Sequence, residues 1–137
     1  MFDKIKVLIV EDNEDERMFM IDGFLQEGHY EIVAEAGNGV EMLEVLNEDN
    51  ITKPQVVITD LNMPGKDGYD VLRDIKSHKA LSHIPVIVLT TAPYIPFAER
   101  CKQLGACAYF TKPDTFLQYK EFAHRIYSEL KENCLPN

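Results

Sequence analysis

The sequence predicts an α/β fold, with five parallel strands in one sheet and helices on both of its faces. Three observations carry that reading. Apolar runs rich in β-branched residues recur five times, at Ile5 to Val10, Glu31 to Ala34, Val56 to Thr59, Val86 to Thr90 and Ala108 to Thr111. Segments with helical spacing separate them, as parallel strands require crossover connections. The first, third and fourth runs are almost continuously apolar, as expected of strands covered on both sides. Right-handed crossovers then leave few topologies, and the flavodoxin-like doubly wound order 2-1-3-4-5 leads among them.

The helical segments come in order. Met18, Ile21 and Leu25 share one face of the first, and Met42, Leu43 and Leu46 mark the second. Val71, Leu72 and Ile75 mark the third, and a short fourth lies around Ala98 to Leu104. In the fifth, Phe116, Tyr119, Ala123, Ile126 and Leu130 step by three and four residues. Gly28 and Gly105 stand where helix-ending glycines belong, and Pro85 precedes the fourth strand. Asp12 or Asn13 is placed to cap the first helix, and Asp67-Gly68 to open the third.

Composition sets the bounds. The 137 residues fit one domain, read as 1–137 with a core of about 4–131 and no output domain. No apolar run is long enough to span a bilayer, and the charged flanks of the first strand do not suit a signal peptide, so a cytoplasmic chain is expected. A net charge of −9 argues against a nucleic-acid-binding surface. Cys101, Cys107 and Cys134 are odd in number and lack metal-type spacing, and reduced thiols are expected. His29, His78, His83 and His124 read as surface residues.

In such a sheet, ligands bind beyond the carboxyl ends of the strands, where the strand order reverses. Those ends carry Glu11 and Asp12, then Asp60, then Thr90 and Thr91, then Lys112. Three converging carboxylates repel one another, and a hard divalent cation such as Mg²⁺ relieves that repulsion. The backbone carbonyl of Asn62 is placed to reach the same ion. Lys112 supplies a compact positive charge and Thr90 a hydroxyl. A carboxylate can accept a phosphoryl group as a nucleophile, and metal, lysine and hydrogen-bond donors stabilise the transfer. Asp60, central in the sheet and followed by a loop, is the natural nucleophile.

The segments VLIVEDNEDER, ITDLNMPGKDGYDVL, IPVIVLTT and GACAYFTKP, in that order, resemble the response-regulator receiver domain of two-component signalling. The resemblance covers nearly the whole chain. It implies that Asp60 accepts a phosphoryl group from a histidine kinase or a histidine phosphotransfer protein. It implies Mg²⁺ held by Glu11, Asp12, Asp60 and the Asn62 carbonyl, with Thr90 and Lys112 on the phosphoryl oxygens. Tyr109 matches the family's switch aromatic, so that helix four, strand five and helix five form the face reshaped for a downstream protein target. That face is also a dimer surface in the family. The chain looks like a stand-alone receiver, as in chemotaxis regulators, phosphorelay intermediates and bacteriophytochrome-partnered regulators, without direct DNA or membrane binding.

Some features depart from the pattern. Thr91 is larger than the residue often found there. Pro93 and Pro96 lie where helix four normally begins, so an extended approach through Ala92 and Ile95 and a late, short helix are expected. Ala92 carries no group to orient an attacking water, which predicts slow loss of the phosphoryl group. A pseudo-receiver that binds partners without phosphorylation is the alternative that Thr91 and the prolines support. A haloacid-dehalogenase-type phosphatase would carry D-x-D-x-T/V after its first strand. Here Asp60 follows the third strand, and Asn62 stands where the second aspartate would be.

Overall fold

The computed structural model describes residues 3–49, 52–92 and 94–136. Strands β1 (Ile5–Val10), β2 (Tyr30–Ala36), β3 (Val56–Asp60), β4 (Val86–Thr90) and β5 (Ala108–Thr111) alternate with five helices. These are α1 (Glu14–Glu27), α2 (Gly39–Leu46), α3 (Gly68–Ser77), α4 (Ile95–Gln103) and α5 (Tyr119–Glu129). The sheet has the order β2-β1-β3-β4-β5, and every pairing is parallel. The predicted doubly wound sheet is therefore the observed one, with strand order reversing between β1 and β3.

Strand residues alternate between two cores, as a period of two requires. Leu8, Val10, Val57, Val86 and Val88 pack with Met42 and Leu46 of α2, Val71, Leu72 and Ile75 of α3, and Cys101 of α4. Val7, Ile9, Ile58, Ile87 and Leu89 pack with Met20 and Phe24 of α1 and Tyr119, Phe122, Ala123 and Ile126 of α5. Helices α2, α3 and α4 thus cover one face, and α1 and α5 the other.

The inward face of α1 differs from the expected one. Met18 and Leu25 are exposed, while Met20, Gly23 and Phe24 are buried. Apolar residues lie on several sides of α1, so periodicity alone does not choose among them. Packing on α5 does. A Cβ at Gly23 would lie 2.5 Å from the Cβ of Tyr119, so only glycine lets the two helices approach this closely. Phe116 likewise is not part of the buried stripe of α5. It lies in a 3₁₀ turn (Phe116–Gln118) and stacks at the surface on Phe19, with ring centroids 4.2 Å apart.

Helix α4 has nine residues, short as expected, but it begins at Ile95 and not later. Tyr94 is its extended N-cap, and its carbonyl accepts from the Phe97 N–H at 3.0 Å, which draws Ile95 into the first turn. Pro96 sits in that turn, where a missing N–H leaves no bond unmade. Pro93 lies outside the described residues.

The cysteines correct a second expectation. Cys107, just before β5, and Cys134, in a π-helical turn (Leu130–Cys134) after α5, form a disulfide with Cα atoms 5.9 Å apart. The chain runs out along β5 and returns along α5, and this brings together two thiols 27 residues apart. Only Cys101 is free, and it is buried. All four histidines are exposed, as expected. No described helix is long and apolar enough to cross a membrane.

Candidate functional site

Asp60 is the last residue of β3, and all five residues of that strand are buried. The turn into α3 fixes its position. The Gly68 N–H donates to the Leu61 carbonyl at 2.8 Å, folding the loop back so that α3 starts directly behind the strand end. A Cβ at Gly68 would lie 2.9 Å from the Asp60 carbonyl oxygen, which explains a glycine after Asp67. Asp67 caps α3 through a reciprocal capping box with Asp70. Asn62 is exposed on the loop, two residues beyond Asp60.

Glu11 and Asp12 come directly after β1, on the other side of the switch point. The Glu11 N–H donates to the Ala36 carbonyl at 3.0 Å, which continues the ladder and turns the side chain inward. Glu11 is buried, and Asp12 is exposed. Asn13 is the N-cap of α1, its side chain accepting from the Glu16 N–H at 2.9 Å. Arg17, which no feature of the sequence singles out, donates from its guanidinium to the Glu11 carbonyl at 2.6 Å and pairs with Glu35.

Lys112 comes directly after β5, with its N–H on the Thr90 carbonyl at 2.7 Å. Its buried ammonium meets three carboxylates: Glu11 at 2.7 Å, Glu16 at 3.0 Å and Asp60 at 3.2 Å. Thr90 is buried at the end of β4, and its Oγ1 accepts from the Ala92 N–H at 3.2 Å. The half-buried Tyr109 donates its hydroxyl to the Ala92 carbonyl, also at 3.2 Å. Thr90 and Tyr109 thus hold the same residue of the β4–α4 connection. Thr91 points to solvent.

The electrostatics reflect burial and crowding. Burial pushes the Glu11 carboxyl up to about 7, against the hydrogen bond from Lys112. Asp60 is also raised, by burial first, with the Lys112 charge opposing. For Lys112, burial disfavours the ammonium, yet the Glu11 hydrogen bond and the carboxylate charges hold it above the ordinary lysine range. One carboxylate oxygen each from Glu11, Asp12 and Asp60 lies within 4.8 Å of the others. Three carboxylates, of which Glu11 and Asp60 share a single ammonium with Glu16, leave an excess of negative charge. That donor set fits a hard divalent cation.

The arrangement brings together a buried carboxylate at a switch point, an acidic cluster, a lysine and a threonine. The fold that carries them is that of a signalling receiver domain. The chain belongs to that family: residues 7–121 match the response regulator receiver domain. It is 40% identical over 108 residues to the transcriptional regulatory protein PdtaR of Mycobacterium tuberculosis, covering 79% of this chain and 49% of that protein. The chain thus spans about half the length of that relative. It is 31% identical over 129 residues to a probable chemotaxis protein CheY of Rhizobium etli, covering 94% of this chain and 97% of that one. Among solved structures, the phosphorylated cyanobacterial phytochrome response regulator RcpA superposes with a TM-score of 0.82 at 27% identity, covering 98% and 99% of the two chains. Receiver domains of this family are phosphorylated by histidine kinases or phosphotransfer proteins and bind Mg²⁺ at an acidic pocket.

Proposed function

We propose that this chain is a phosphoacceptor whose Asp60 receives a phosphoryl group from a histidine kinase or phosphotransfer protein. The observation that carries the reading is the Asp60 carboxylate at the switch point, 3.2 Å from the Lys112 ammonium and clustered with Glu11 and Asp12. An Asp60 oxygen forms the new P–O bond as the N–P bond of the donor breaks and the imidazole nitrogen leaves. Lys112 steadies the phosphoryl oxygens, and the Thr90 hydroxyl supplies a donor. Glu11, Asp12, Asp60 and the Asn62 carbonyl would hold Mg²⁺, which supplies charge neutralisation at the phosphoryl oxygens.

The output depends on the ties to Ala92. When the Thr90 hydroxyl turns to a phosphoryl oxygen, its hydrogen bond from the Ala92 N–H is lost, and the Tyr109 bond to the Ala92 carbonyl is exposed to the same movement. The α4–β5–α5 face then changes shape for a downstream protein or a second copy. The exposed Ala92 offers no polar side chain to guide water to the phosphoryl group. The phosphorylated state is therefore long-lived, and a lifetime of seconds in the isolated protein would refute that.

The test is intact mass after incubation with acetyl phosphate and Mg²⁺. The wild type should gain one phosphoryl group and Asp60→Asn none, with its fold intact by circular dichroism. No gain from the small donor or from a histidine kinase would leave a module that binds partners without phosphorylation.

A further inference from the structure

We propose that Glu16 is the positioning residue for Lys112, and that α5 supplies its anchor through Tyr119. This rests on the phosphoacceptor reading and adds to it a residue and a path. Of the three carboxylates on the ammonium, two have other tasks in that reading. Asp60 changes its charge and its shape when it is phosphorylated. Glu11 belongs to the cation cluster, and its second oxygen also accepts from the Asn13 N–H at 3.2 Å. Glu16 has neither task. Its Oε1, 3.0 Å from the Lys112 ammonium, also accepts the Tyr119 hydroxyl at 3.0 Å.

That oxygen is held at both ends. The Glu16 N–H is bound by the Asn13 cap, so the residue is fixed at the start of α1. Tyr119 is fully buried and wedged against Gly23. A lysine has a flexible four-carbon stem, and a point charge aids phosphoryl transfer only where it is held in place. Glu16 and Tyr119 give Lys112 a fixed third partner while the other two change state. The same chain of contacts, Lys112–Glu16–Tyr119, ties the site to the start of α5, a part of the output face.

The test compares Glu16→Ala, Glu16→Gln and Tyr119→Phe. The initial rate of Asp60 phosphorylation by acetyl phosphate should fall about tenfold in Glu16→Ala. Glu16→Gln keeps an oxygen for both donors and should stay within about threefold of wild type. Tyr119→Phe should fall between them, and adding it to Glu16→Ala should cost nothing more, because the two act as a unit. A second readout uses the metal-free protein. By nitrogen-15 NMR, the Lys112 ammonium protons should exchange slowly with water in wild type and Glu16→Gln and fast in Glu16→Ala.

An unchanged or faster rate in Glu16→Ala overturns the proposal, as does an equal loss in Glu16→Gln. If Glu16→Ala fails to fold, the other two variants decide. A wild type that takes up no phosphoryl group overturns both readings. A phosphorylated wild type with an indifferent Glu16→Ala overturns this one alone.

Discussion

Glu11 carries a consequence of its own for pH. Its carboxyl is raised from 4.5 to about 7 in the folded, metal-free protein, chiefly by burial. The protonated form therefore favours the fold. That contribution is complete below the ordinary glutamate value and is lost as pH rises through about 7. Cation binding needs the carboxylate, so below that value the ion must displace a proton. The rise in melting temperature on adding Mg²⁺ should be larger at about pH 8 than at about pH 6. An equal or reversed difference would remove Glu11 from the cation site. Reading the ends of the apolar runs was enough to place Glu11, Asp12, Asp60, Thr90 and Lys112 at one edge of the sheet, because a parallel sheet delivers strand ends to one place. Glu16 was hidden, because within Glu14-Asp15-Glu16 it looks like an acidic first turn favoured by the helix dipole. Nothing in local spacing distinguishes it, and only the arrival of Lys112 and Tyr119 from the far end of the chain does.

The elements differ in how openly the sequence displays them. Strands β1, β3 and β4 are apolar throughout and announce their burial. Helix α1 does not, since Met18, Phe19, Met20, Ile21, Phe24 and Leu25 surround it. Its true face can be tested by truncation. Phe24→Ala should cost about 3–5 kcal/mol in denaturant unfolding, and Leu25→Ala within about 0.5 kcal/mol. Comparable losses would restore the face that spacing suggested. Gly23→Ala should destabilise by about 1–3 kcal/mol, because its Cβ would meet Tyr119 on α5. At α5, the stepped apolar spacing took in Phe116, which the structure places in the preceding turn, and passed over Phe122, which is buried. The surface stack of Phe116 on Phe19 accounts for the first of these, as an aromatic can be satisfied by another aromatic outside the core.

At the scale of the molecule, topology was readable because strand–helix alternation and right-handed crossovers leave so few arrangements. The disulfide was not. Its two thiols lie 27 residues apart with β5 and α5 between them, so their meeting depends on the completed fold. Closing a loop of that size should stabilise the oxidised protein over the reduced one by about 3–4 kcal/mol, read as a higher denaturant midpoint without reductant. Cys134→Ser should abolish the difference. The pairing also settles how the protein meets thiol chemistry. With Cys107 and Cys134 joined and Cys101 buried on α4, a maleimide dye should find nothing to modify in the native oxidised molecule. Denaturation alone should reveal one reactive sulfur, and denaturation with reduction all three. A cysteine introduced at exposed Tyr94, at the start of α4, would then be the only site open to a spectroscopic probe, reporting on the α4 face against a silent background.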